Sequence, residues 1–298
     1  MSNDNKTVQN KSLRIKQTKR KEDKQPFLID KDYNIIPGTY KTPVGEVRIK
    51  KIEAPRRYDV ISLARSINEN FAPRTKELFT PEIEAVKEAM KTGNYVAWRP
   101  IDKPWNQQDC QRVCCNSRCF CGHLLNEHDS FSAKIIVPKC NHTGCLCKGF
   151  KFIPSRPEEV GEFWITKRSD FDRSAYRVKC KCKHTHEEHA SYPVPYQCKV
   201  KGCRCSGFSS AFLCAACDKH WHEHETVFET EVERKADGRP VGEAWLPFAE
   251  LPELAKIALT GVDNPDIQTL MDALPTNSRQ NIPEQQILPA LCELKDLK

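Results

Sequence analysis

The chain has 298 residues, of which 39% are hydrophobic and 29% charged, with 20 Pro, 12 Gly, 16 Cys and a formal net charge of +7. That is long enough for one or two domains, but the composition argues against a single large apolar core. No run approaches the roughly 18 apolar residues of a membrane span, and Met1 to Lys24 is polar and basic with no apolar signal segment, so the expectation is a cytoplasmic or nuclear protein, neither secreted nor membrane-bound.

Residues 1–26 carry eight Lys/Arg and almost nothing apolar, and read as a disordered basic arm. Residues 27–109 read as supporting structure. Val44 to Ile52 alternates like a half-exposed strand, and Val60, Ile61, Leu63, Ala64 and Ile67 form one helical stripe. A second helix is expected to start at Thr80-Pro81, with Glu82 and Glu84 in its first turn, and to stop at Gly93. Residues 225–247 suggest a hairpin, with Thr226 to Arg234 and Pro240 to Leu246 flanking Asp237-Gly238. Residues 248–298 hold short helical stretches (Leu251 to Leu259, Asp266 to Leu274, Glu284 to Leu297) in an acidic, partly flexible tail.

Between these flanks, in residues 110–224, lie fifteen of the 16 cysteines and all nine histidines; Cys292 alone is outside. Disulfides have no use for imidazole, and in a reducing compartment thiols persist and take metals. Two segments of this window match. Cys119, Cys121, His123 and His128 recur 61 residues later as Cys180, Cys182, His184 and His189. Cys140, Cys145 and Cys147, followed by Gly149-Phe150, recur 58 residues later as Cys198, Cys203 and Cys205, followed by Gly207-Phe208. Seven ligand-type residues matched within one chain indicate a duplicated ligand set.

In an extended Cys-x-Cys-x-His run the alternate side chains share a face, as a tetrahedral metal requires. Gly144 and Gly202 let the backbone turn beside the Cys-x-Cys pair, and Phe150 and Phe208 return the chain to a small core. A third, shorter unit follows. Its ligands are expected to be Cys214, Cys217, His220 and His224, with His222 as an alternative. Each Cys-x4-Cys-x-Cys triad of the repeats needs a fourth partner, which Cys110, Cys114 or Cys115 is expected to supply. His142 and His186 have no counterparts and read as surface residues.

The fold class expected is α+β: a small, irregular, β-rich, zinc-stabilised tandem repeat with flanking short helices and a disordered N-terminal arm. Four or five zinc ions are implied, while iron–sulfur ligation suits all-cysteine sets and not this histidine-rich one. The duplicated pattern, followed by Cys-x2-Cys and His224-Glu225-Thr226, resembles the family with sequence similarity 221, most like its member A, over roughly residues 30–250. That resemblance implies the domain and no activity.

The leading functional reading is a non-catalytic structural zinc module whose expected partner is a protein, and no motif identifies a small-molecule substrate. A nucleic-acid-binding zinc protein, using the basic arm, is the alternative; it lacks C2H2 spacing and interleaved aromatics. A zinc-dependent hydrolase comes third, since HExxH is absent and ligands are in excess.

Overall fold

A computed structural model describes residues 28, 31, 35–43, 45–50, 59–102, 108–132 and 135–274. The basic arm of residues 1–26 and the expected helix from Glu284 to Leu297 lie outside the described residues. Helices and small antiparallel sheets are mixed, an α+β arrangement. Among the described residues no helix is long and apolar enough to cross a membrane.

The chain divides into two units, residues 1–67 and 68–298. The first holds an antiparallel hairpin, β1 (Gly38–Thr42) against β2 (Gly45–Ile49), and helix α1 (Val60–Ile67), which carries the apolar stripe expected there.

The second unit opens with α2 (Phe71–Thr92), which ends at Gly93 in the left-handed conformation. Its start corrects the sequence expectation: the helix begins at Phe71 rather than at Thr80-Pro81, and it runs through Pro81. Proline removes the donor that the Glu77 carbonyl would have used, and the Thr80 hydroxyl adds a bond to the neighbouring Lys76 carbonyl at 2.7 Å. The buried face of α2 (Ala72, Ile83, Ala85, Val86 and Ala89) sustains the helix across that gap.

Strand β3 (Asn94–Pro100) is the centre of a three-stranded antiparallel sheet, between β4 (Gln111–Arg112) and β5 (His224–Thr230). Its two faces serve two cores, as a period of two dictates. Tyr95 and Ala97 pack with Val86 and Ala89 of α2 and with Trp245 and Leu246. Val96 and Trp98 face the larger core, which holds Phe120, Phe150, Phe152, Phe208 and Trp221 together with buried cysteines.

No hairpin forms over residues 225–247, a second correction. β5 pairs with β3, and α3 (Glu231–Ala236) follows at once. Thr230 caps that helix by accepting from the Glu233 amide at 3.3 Å while the Glu233 carboxylate returns to the Thr230 amide at 2.7 Å. The capping box competes successfully with a turn at Asp237-Gly238, which instead ends the helix. Two helices, α4 (Pro252–Thr260) and α5 (Ile267–Ala273, capped by Asp266), complete the described chain close to the expected stretches.

α3 also presents Arg234, which is fully buried. It meets Asp109 and Glu229 at 2.8 Å each, and Arg99 meets Glu229 at 2.6 Å. The rings of Tyr95 and Trp245 lie about the Arg234 guanidinium at 5.2 and 4.8 Å. This network fixes Asp109, the neighbour of Cys110, against the sheet.

Candidate metal centres

Five groups of four side chains converge, each with its ligand atoms within 4.8 Å of one another and each able to hold a metal ion. In the first repeat these are Cys119, Cys121, His128 and Cys147, and then Cys121, His123, Cys140 and Cys145. The second repeat brings together Cys180, Cys182, His189 and Cys205, and then Cys182, His184, Cys198 and Cys203. The fifth group is Cys110, Cys214, Cys217 and His224. Cys121 and Cys182 each belong to two groups, so five groups of four use 18 residues.

The local backbone explains the convergence. Cys119 donates its amide to the His123 carbonyl at 2.8 Å, and Cys180 does the same to His184 at 2.8 Å. Each folds Cys-x-Cys-x-His into a tight loop. A 3₁₀ turn follows, Leu125–Glu127 or His186–Glu188, whose glutamate accepts the Leu124 or Thr185 amide at 2.6 Å. The next residue, His128 or His189, donates from Nδ1 to the carbonyl four residues back, at 2.7 and 2.8 Å. That bond fixes the tautomer and aims Nε2 at the thiols. His128 Nε2 lies 3.7 and 3.8 Å from the Cys121 and Cys147 sulfurs, and His189 Nε2 lies 3.6 and 3.8 Å from those of Cys182 and Cys205.

The other histidine of each repeat works through its other nitrogen. His123 Nδ1 is 3.4 Å from both Cys121 and Cys140 sulfurs, and His184 Nδ1 is 3.4 Å from that of Cys198. Gly144 and Gly202, at φ 82° and 84°, make the turn before the Cys-x-Cys pair as expected. At Gly207 space is the constraint: a Cβ would stand 2.5 Å from the Pro195 carbonyl. Phe150 and Phe208 then close each site, with their rings edge-on to His128 and His189 at 5.2 Å in both repeats.

The fifth group follows the same plan at an offset of 96 from the first repeat. His224 donates from Nδ1 to the His220 carbonyl at 2.9 Å, and Glu223 accepts the His220 amide at 2.6 Å. Asp218 takes the positive-φ position that Gly122 and Lys183 hold in the repeats. In this register His220 corresponds to Leu124 and Thr185, so its carbonyl is used and its ring is not. The ring's Nδ1 lies 3.1 Å from the Ser210 hydroxyl and its face is stacked on His222. His220 and His222 therefore lie outside the group, and Cys110 supplies the fourth donor, held by its amide bond to the Trp98 carbonyl at 2.9 Å. Trp98 also stacks on His224 at 3.9 Å. The Glu-His pairs 127-128, 188-189 and 223-224 were the sequence signal that sets this register.

Cys114 and Cys115 join no group. Cys114 is buried beside the Ser117 hydroxyl, and the Cys115 amide donates to Glu88 at 3.2 Å. His142 is exposed as expected, stacked on His123 at 3.9 Å and 2.8 Å from Glu127. His186 is a correction: it is completely buried, at the 3₁₀ position that Leu125 and Trp221 occupy in the other copies. Neither ring nitrogen has a hydrogen-bond partner, and burial pushes its pKa down to about 4.

All fifteen described cysteines are free thiols. The Cys119–Cys147 and Cys180–Cys205 sulfurs stand 3.8 and 3.7 Å apart, far from the roughly 2.05 Å of a disulfide. Burial pushes Cys119 up to about 12, whereas Cys110 beside Cys214 holds that thiol down at about 4.

The model of the FAM221 family, described as Protein FAM221A/B, matches this chain twice, over residues 65–165 and 169–269. Protein FAM221B of Homo sapiens is 48% identical over 188 residues, covering 63% of this chain and 45% of its own. Protein FAM221B of Mus musculus is 45% identical over 199 residues, 66% of this chain and 40% of its own. Protein FAM221A of Xenopus tropicalis is 34% identical over 189 residues, 59% of this chain and 55% of its own. The higher identities to FAM221B correct the expected likeness to member A. The chain therefore spans less than half the length of the FAM221B relatives it matches. No solved structure matches it.

Proposed function

This chain belongs to the FAM221 family, and we propose that it is a non-catalytic module, held together by five zinc ions, whose exposed loops dock a protein partner. The spacing of the ligand atoms carries this reading. Zinc bonds of about 2.3 Å to sulfur and 2.0–2.1 Å to nitrogen, at tetrahedral angles, separate neighbouring ligands by about 3.8 Å (S to S) and 3.6 Å (S to N). The Cys119–Cys147 and Cys180–Cys205 sulfurs stand at 3.8 and 3.7 Å, and sulfur–nitrogen contacts within the groups run from 3.2 Å (Cys217 to His224) to 3.8 Å (Cys147 to His128). Thiolate and imidazole donors suit zinc and leave out the oxygen-seeking calcium and magnesium.

Each group already has four protein ligands, so none keeps the open position that hydrolytic zinc needs. Each repeat would set five thiolates against two divalent ions, a formal charge of −1. The lysines around the second repeat (Lys179, Lys181, Lys183, Lys199) then balance thiolate charge, which weighs against a nucleic-acid surface. Docking is supported by apolar side chains exposed between the ligand runs: Ile136 and Val137 in the first repeat, Tyr192 and Val194 in the second.

Native mass spectrometry of the purified chain should find five zinc ions; fewer than three, or mainly iron, would defeat the metal assignment. For docking, a photo-crosslinker at Val194 should capture protein that one at the similarly exposed Val232 does not. Equal yields at both positions would count against it.

A further inference from the structure

We infer that each repeat binds its two ions as one binuclear cluster, bridged by the sulfur of Cys121 or Cys182, with a buried inner ion and an exchangeable outer ion. The inference rests on the zinc reading above and adds to it the connectivity and the unequal hold on the two ions.

Ligand supply comes first. Two separate tetrahedral sites need eight protein donors, and each repeat brings seven to the place. The shortfall falls on one atom. Cys121 Sγ lies 3.7 Å from His128 Nε2, which belongs only to the inner group, and 3.4 Å from His123 Nδ1, which belongs only to the outer one. One sulfur at ligand spacing from both histidines sits at the shared vertex of two tetrahedra. A thiolate has lone pairs to serve both ions, and Cys114 and Cys115, the spare thiols nearest in sequence, belong to neither group. Cys182 repeats the arrangement, within reach of His189 in one group and of His184 in the other.

The two ions of a pair are held differently. Inner ligands Cys119, His128 and Cys147 are all buried, as are Cys180 and His189 in the second repeat. The Cys119 sulfur also accepts the Lys151 amide, and that of Cys180 the Ser209 amide, at 3.3 Å each. A metal-bound thiolate that accepts a backbone amide is a poorer target for protons. The outer groups contain no buried ligand in either repeat. Water and chelators therefore reach the outer ion first.

Cadmium-113 NMR of the full chain loaded with that isotope tests the bridge without any substitution. Five resonances are expected, four of them coupled in two pairs through sulfur, and one singlet from the Cys110 group. Five singlets would overturn the bridge and leave five structural ions standing; absence of bound metal would instead remove the reading on which it rests. Three ions per zinc-loaded chain would also overturn the binuclear assignment.

Exchange is read by native mass spectrometry of zinc-loaded protein under limiting EDTA. The chain should pass from five ions to a persistent three-ion species, and Cys140→Ala and Cys198→Ala should each hold four from the start. Loss of all five together, or first loss from the Cys110 group, would overturn the inner–outer order.

Discussion

The two repeats make the same hydrogen bonds around the same seven ligands while disagreeing about nearly everything else. Gly122 faces Lys183 at the same positive-φ position, Leu125 faces His186 at the same 3₁₀ position, and the loop before the Cys-x4-Cys run is three residues shorter in the second copy. A left-handed lysine and a buried histidine without hydrogen-bond partners each cost about 1–3 kcal/mol, which the second copy carries and the first does not. On the proposed metal reading, the difference teaches that ligand geometry fixes the backbone and that the filling is secondary. The largest effect should therefore come from taking the metal away. Structural zinc contributes roughly 10–16 kcal/mol in small fingers, comparable with the whole stability of a domain. Chelation should raise hydrogen exchange throughout residues 110–224 in both repeats together. Unchanged exchange in either copy would show that its filling suffices.

Next in size is a contrast within the third unit. Cys110→Ser should remove one ion and destabilise by about 3 kcal/mol or more, whereas His220→Ala should keep full metal content and cost about 1 kcal/mol for its bond to Ser210. Zinc per chain and melting temperature decide it. Loss of an ion on removing His220 would restore the ligand set expected from spacing alone.

His186 sharpens the comparison through pH. Its folded pKa lies at about 4, against about 6.5 unfolded, so above pH 6.5 the side chain is neutral in both states and nothing is lost. As pH falls through 6.5 toward 4, the unfolded chain binds a proton that the folded one refuses, and stability declines. Between about pH 7.5 and 5.5 this amounts to about 1.3 kcal/mol. His186→Leu, which copies Leu125, should keep both ions of the repeat and show that much less acid sensitivity in urea melts. Parallel pH dependence in the two proteins would contradict the assignment. The smallest effect is expected at Lys183: replacement by Gly, as in the first repeat, should stabilise by about 0.5–1 kcal/mol.

Much of the metal region was legible because the chain could be compared with itself. Matched spacing identified the seven ligand types of each repeat, and the Gly and Phe positions with them. The pairing was not legible, because inner and outer ligands interleave along the chain and Cys121 and Cys182 serve twice. His220 was misread because Cys-x2-Cys carries one residue more than Cys-x-Cys, which hides the register unless the copies are aligned on Glu-His. Strand β3 left no alternation to read, since both of its faces are buried. The capping box at Thr230 and Glu233 was present in the sequence, but Asp237-Gly238 gave the louder local signal.

With an ion bound, the Cys110 group would close a ring in the chain. Cys110 and Cys214 meet across 104 positions, and both repeats lie wholly inside the span they define. By loop-closure reasoning, a covalent link over about 100 residues removes entropy worth about 4.7 kcal/mol from the unfolded chain, and a tightly held ion acts in the same sense. The repeats can each gather their ligands locally and early; this fastening must wait until β4 and β5 have met on either side of β3. With an ion bound it would be the non-local closure, expected to form later than the local ligand sets, and it would turn two neighbouring clusters into contents of a single closed loop.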